Sequence, residues 1–160
     1  MSNKMITCLW FDQGEARNAA EFYASVFPDS RVGTAMAAPS DFPGGERGTE
    51  LTVDFTILGR DFVGLNGGPN FTPNEAVSFM VVTADQAETD HYWSAIVDNG
   101  GEESACGWCK DRWGVSWQIT PRVLLDATTS PDNAAAKRAF EAMMTMKKID
   151  VAAIEKARRG

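Results

Sequence analysis

Cys106 and Cys109, in the run CGWCKDRWGVSWQITP, have the C-x-x-C spacing of a redox pair or of half a zinc site. A thioredoxin-like pair follows a strand and opens a helix, whose positive end lowers the thiol pKa. Here the following residues, KDRWG, read as a turn into another strand. A structural zinc needs a second pair of ligands, which Cys8 alone does not supply. A single reactive thiol at Cys106 remains open, with Trp108 as a wall and Lys110 as a charge at the rim. The one histidine, His91, falls mid-helix between Asp90 and Tyr92, which leaves no credible Ser-His-Asp arrangement. Glu50 and Asp54 read as solvent-facing carboxylates on a strand. No G-x-G-x-x-G or phosphate loop occurs, and Gly44-Gly45, Gly67-Gly68 and Gly100-Gly101 fall in connectors or helix caps. These motifs do not name a reaction.

The elements that would position such residues are clearer. After the bend at CGWC the chain alternates strictly: Val115, Trp117 and Ile119 point one way, Ser116, Gln118 and Thr120 the other. The large residues would meet a helix layer, and the small polar ones would line something wetter. From the amino end, strands are expected at residues 5–11, 30–36, 49–58 and 61–66. A helix fills 15–27, where Ala16, Ala19, Ala20, Tyr23, Val26 and Phe27 make one apolar face. The turn-rich connector NGGPNFTPNE follows, and then the order repeats. A strand at 76–82 leads to a helix at 83–99, opened by a Thr83/Gln86 capping box and closed by Gly100-Gly101. Strands at 102–109 and 115–121 follow, with a short hairpin between them. The repeat, about 60 residues long, shows in element order rather than in residue identity. In the tail, Ser130-Pro131 starts one helix and Asp150 a second. Their Phe140, Met143, Met144 and Ile154 faces read as packing surface, or as a subunit contact.

Composition limits the partners. The 160 residues are 44% hydrophobic and 23% charged, which suits a globular chain and not a disordered one. A net charge of −7 and a pI near 4.7 argue against nucleic acid, which calls for a basic face. The basic pairs Lys147-Lys148 and Arg158-Arg159 read as helix-end charges. No apolar run approaches the roughly 20 residues of a membrane span. The start MSNKMITCLWFDQGE lacks the apolar core of a signal peptide, so a cytoplasmic location without disulfides is expected.

Five stretches carry a resemblance: LWFDQGEARNAAEFYASVFPDS, LTVDFTILGRDFVGLNGGP, NEAVSF, CGWCKDRWGVSWQITP and MMTMKKIDVAAIEKA. With two strand–helix–strand–strand–strand modules in tandem, the chain resembles the vicinal oxygen chelate superfamily of glyoxalase I, extradiol dioxygenases and bleomycin-resistance proteins. Within it, the chain is most similar to the PhnB-like branch named after demethylubiquinone methyltransferase. The resemblance implies an α+β fold of tandem βαβββ modules forming cup-shaped mixed sheets, usually completed in a homodimer. Its modules would span residues 1–67 and 75–122, with a connector at 68–74 and a helical extension at 123–160.

Metal-dependent members place His and Glu ligands on inward-facing strands, and motif matching puts Thr7, Asn66, Ser78 and Gln118 at or near those positions. None is a good ligand, so no metal and no cofactor is expected. The residues expected to line the cup are Asn66, Ser78 and Gln118, with Trp108, Cys106 and Lys110 at its mouth. Three functions stay open, and the first is the one expected. The first is a metal-free protein that binds a small organic molecule. The second is an enzyme of this fold working without a cup metal, through Cys106, Lys110 or Asp54. The third is a metal-dependent isomerase, lyase or dioxygenase. Methyl transfer is disfavoured, since a doubly wound methyltransferase needs a Gly-rich strand–helix turn.

Overall fold

The computed structural model describes residues 4–160; residues 1–3, where the first expected module begins, lie outside them. The chain divides into two compact units, residues 1–73 and 74–160.

In the first unit, β1 (Thr7–Phe11), β2 (Arg31–Ala37), β3 (Glu50–Ile57) and β4 (Arg60–Asn66) form one sheet in the order β1-β4-β3-β2. β1 runs parallel to β4 and the other pairs are antiparallel. The parallel pair requires a crossover, which α1 (Ala16–Val26) supplies. Its buried face of Ala16, Ala19, Ala20 and Tyr23 is the one its periodicity predicts. Tyr23 stacks on Phe55 at 5.9 Å and Phe55 on Phe62 at 5.3 Å, so one face of the sheet is closed by aromatic packing. Gly64 lets the helix approach: a Cβ there would lie 2.9 Å from the Ala16 Cβ.

The N-cap residue of α1, Glu15, makes no side-chain cap bond. Asn66 does that work from the sheet. Its Oδ1 accepts from the Ala16 N–H at 2.9 Å, and its Nδ2 donates to the Glu50 carbonyl at 2.9 Å. Asn66 is therefore a clamp between helix and sheet, buried on the α1 face.

In the second unit the sheet order is β5-β8-β7-β6, from β5 (Ser78–Thr83), β6 (Glu102–Glu103), β7 (Trp108–Lys110) and β8 (Ser116–Pro121). β5 is parallel to β8, crossed over by α2 (Gln86–Val97). The single strand expected at 102–109 is thus two short strands paired with each other. Between them Cys106 and Gly107 take positive φ, 60° and 81°, which breaks the strand. Both units are α+β, each a four-stranded mixed sheet with one crossover helix, in the expected βαβββ order.

Two helix starts differ from expectation. The cap of α2 is Asp85, whose side chain accepts from Glu88 N at 2.9 Å, while Glu88 accepts from Ala84 N at 2.6 Å. Thr83 is instead fully buried, and its hydroxyl pairs with that of Thr89 at 2.6 Å. A hydroxyl tied inside the core cannot cap a helix. In the tail, α3 (Arg122–Thr128) follows β8 directly, inside the expected helical extension but ahead of the helix start read at Ser130-Pro131. The next helix, α4 (Asn133–Met143), is capped by Asp132 rather than Ser130, and α5 (Val151–Arg159) by Asp150 as read.

Leu124, Ala127, Ala139, Ile149 and Ile154 form a core joining the three tail helices, with Met143 and Met146 against it. Phe140 and Met144 are about half exposed and are not part of that packing. Lys147 and Lys148 end no helix; they lie between α4 and α5 and pair with Glu103 and Asp90. No helix among the described residues is long and apolar enough to cross a membrane.

Candidate ligand face of the second sheet

β8 is central in its sheet, so its two faces are set by β5 and β7 on either side. Trp117 and Ile119 are buried, with Cys109 and Val81 on the rows beside them. That face carries α2, which supplies Tyr92, Trp93 and Ile96. On the other face the register makes two rows. One runs Ser78–Ser116–Lys110, the other Met80–Gln118–Trp108. Gln118 Nε2 donates to Ser78 Oγ at 2.8 Å, which ties the rows together. Four residues expected in the cup, Ser78, Gln118, Trp108 and Lys110, thus share one face.

This face is less wet than the alternation suggested. Ser116 is 1% exposed and Thr120 6%, and only Gln118 of the three polar residues is half-buried. A hydroxymethyl group on a central strand lies below the longer side chains of the rows around it. Met80 and Val82 are partly exposed and add apolar surface, and Trp108 is half-buried. The Ser116 hydroxyl is buried and has no hydrogen-bond partner among the described residues. Such a group costs about 1–3 kcal/mol of desolvation, so it calls for an explanation. Ser116 is the residue that sequence reading placed on this face and did not select. Its signal was present in the alternation, two positions before Gln118.

Lys110 forms an ion pair with Glu75, in the segment leading into β5. Hydrogen bonding to Lys110 holds the Glu75 carboxyl below its ordinary range, and the same bond raises Lys110. The cation is therefore locally neutralised. At the end of β7, Asp111 shapes the turn into β8. Its Oδ1 accepts from the Trp113 and Val115 N–H groups at 3.0 Å, and its Oδ2 accepts from the Trp117 indole at 2.9 Å. This buried carboxylate fixes both the turn and the Trp117 ring on the α2 side of β8. Sequence reading passed over it as one residue of a turn.

The remaining candidates lie elsewhere. Asn66 has its amide spent on α1, as described above. Thr7 pairs with Phe62 and, by alternation with buried Leu9 and Phe11, lies on that same helix face. Neither is on an open face, because β4 sets its parity by pairing Phe11 with Asn66. Cys106 stands in the β6–β7 loop, with its N–H bonded to the Met146 carbonyl. Cys109 is 1% exposed on the α2 face, and its thiol is pushed up to about 12, first by burial and then by the Asp111 charge. That is the reverse of what a redox thiol needs. Asp54 lines a cleft of about 210 Å³ in the first unit with Arg31, Thr56 and Asp61. Among the described residues no three His, Cys, Asp or Glu side chains gather where they could hold a metal ion. The donor set does not fit the metal site of the metal-dependent enzymes.

Two mixed sheets, each crossed by one helix and arranged as βαβββ, define a two-module α+β protein. The model of the 3-demethylubiquinone-9 3-methyltransferase family matches residues 3–120, and the chain belongs to that family. This bears out the PhnB-like resemblance for the two modules, but the match stops before the MMTMKKIDVAAIEKA stretch. A Bacillus cereus PhnB protein of solved structure is 29% identical, with a TM-score of 0.65 over 74% of this chain and 99% of its own. A Pseudomonas aeruginosa protein shares the fold at 16% identity, with a TM-score of 0.60 over 75% of this chain and 98% of its own. No curated relative matches the chain.

Proposed function

We propose that the Ser78–Ser116–Gln118 face of the second sheet binds a small, neutral organic molecule carrying a carbonyl or similar oxygen. The buried, unpartnered Ser116 hydroxyl is the observation that carries this reading. It can donate to a ligand oxygen when a longer side chain of the rows around it swings aside. Gln118 keeps a second N–H and its carbonyl for the same ligand, since one N–H goes to Ser78. Trp108, Met80 and Val82 supply flat and apolar contact beside these groups. Glu75 cancels the Lys110 charge, so the face favours a neutral ligand over an anion.

The family description names a demethylubiquinone, a flat ring bearing carbonyl oxygens, and that class of molecule suits such a face. Methyl transfer does not follow with it. Neither sheet is the doubly wound parallel sheet that holds a nucleotide-like methyl donor, and β1 enters α1 through Asp12-Gln13-Gly14-Glu15, with a single glycine. The reading is therefore binding or carriage of the ligand without a cup metal.

Duroquinone is a suitable first probe, because its fully substituted ring has no open position for thiol addition. The test labels the protein with 5-fluorotryptophan, assigns the Trp108 line with Trp108→Phe, and titrates duroquinone, coumarin and 4-hydroxyacetophenone. A saturable shift of the Trp108 line, weakened by Ser116→Ala, is expected. A Trp108 line unmoved by all three would count against the reading.

A further inference from the structure

The family match ends at residue 120, and the tail that follows packs with the second unit. Its point of attachment is specific. The segment between α4 and α5 runs beside the β6–β7 loop. There the Cys106 N–H donates to the Met146 carbonyl at 2.8 Å and the Gly107 N–H to the Lys147 carbonyl at 2.7 Å. The positive φ of both residues turns these two amides toward the tail. A left-handed cysteine costs about 1 kcal/mol, and it persists where the surroundings hold it. The fit leaves no slack: a Cβ on Gly107 would lie 3.0 Å from Ile149 Cγ1 and 3.0 Å from the Ile119 carbonyl. The Gly107 carbonyl also accepts from Ile119 N at 2.8 Å, so this peptide is gripped by β8 on one side and by the tail on the other.

The tail segment is itself held by α2. Gln86 Nε2 donates to the Ile149 carbonyl at 3.0 Å and to Asp90 Oδ1 at 2.9 Å, while its Oε1 accepts from Val151 N at 2.7 Å. Lys148–Asp90 at 2.6 Å and Lys147–Glu103 at 2.9 Å add ion pairs at the surface. The residue after Gly107 is Trp108, directly across from Gln118 on the ligand face.

We propose that the tail segment at residues 144–151 is a latch, fastened by Gln86, that positions Trp108 for the ligand face. Gln86 acts through the backbone at 106–107 and is a positioning residue. The latch rests on the assignment of this face as the ligand site, but its geometry can be read without a ligand.

The test uses the full chain labelled with 5-fluorotryptophan and compares wild type with Gln86→Ala. Amide exchange at Cys106 and Gly107 is expected to rise about tenfold. The Trp108 fluorine line is expected to shift or broaden while the Trp10 and Trp117 lines stay, and duroquinone binding is expected to weaken. Unchanged exchange at both amides would overturn the latch. So would faster exchange with an unmoved Trp108 line, which would leave the tail a merely stabilising addition. If wild type ignores duroquinone while Gln86→Ala still moves Trp108, the ligand assignment fails and the latch stands. Should Gln86→Ala fail to fold, the double variant Lys147→Met, Lys148→Met carries the same readouts. It is expected to show the same changes at smaller size, and wild-type values from it would overturn the latch.

Discussion

Replacing Ser116 by alanine should make the protein more stable and a poorer binder, an unusual pair of effects for a buried position. The hydroxyl is 1% exposed and has no partner among the described residues, so folding strips its water and returns nothing. Removing it is expected to recover about 1 kcal/mol, the low end of the cost of an unsatisfied buried group. The side chain loses one atom, so little cavity cost offsets that gain. For a chain of this length about 1 kcal/mol raises the melting temperature by about 2–4 °C. In the bound state the same hydroxyl would donate to the ligand, and its loss should weaken binding about fivefold, the equivalent of about 1 kcal/mol. Differential scanning calorimetry or urea unfolding reads the first effect, and fluorine-detected titration with duroquinone the second. If Ser116→Ala lowers stability by 1 kcal/mol or so and leaves every titration unchanged, the hydroxyl is satisfied within the folded protein. The proposed ligand face then lacks its one unpartnered buried donor.

Asp111→Ala should destabilise the protein by about 3 kcal/mol, because three N–H groups lose a charged acceptor at a buried site. Urea unfolding gives the magnitude, and near-ultraviolet circular dichroism should report the freed Trp117 indole. On the alkaline side, Cys109 has a folded pKa near 12 against 9.0 for a free thiol. The folded state thus holds the proton more tightly. The stability from that proton is complete below about pH 9 and is lost as pH rises toward 12, at about 1.4 kcal/mol per unit. Cys109→Ala should flatten the decline between pH 8 and 10 in urea midpoints, and a variant with the wild-type slope would refute the assignment. Elemental analysis after incubation with nickel, zinc, manganese and iron, followed by dialysis, should find no stoichiometric metal. Retained metal at one per chain would move the metal-dependent enzymes ahead of a metal-free binding protein.

Local pattern was enough for the elements that depend on periodicity. The α1 face of Ala16, Ala19, Ala20 and Tyr23 needs only a 3.6-residue period, and the alternation in VSWQITP needs only a period of two. The family, and with it the βαβββ order of both units, was legible in the same stretches. The start of α2 was not. Thr83/Gln86 and Asp85/Glu88 both satisfy a capping pattern, and the choice fell to the burial of Thr83 against Thr89. Of the six residues expected to bind a ligand, Ser78, Gln118, Trp108 and Lys110 lie together on one face.

Alternation along each strand fixes which residues share a side, because that follows from backbone geometry alone. On β8 residue size also marked the helix side, as buried Trp117 and Ile119 bear out; on β4 it did not. Asn66 and Gln118 are both amides on strands, yet one clamps α1 and the other reaches Ser78 across the face opposite α2. The pairing of Phe11 with Asn66 and of Trp117 with Cys109 decides between them. Tertiary structure also decided that Ser116 is buried without a partner and that a distant tail grips the loop before Trp108. Those outcomes depend on contacts between residues far apart in the chain, and no local propensity encodes them.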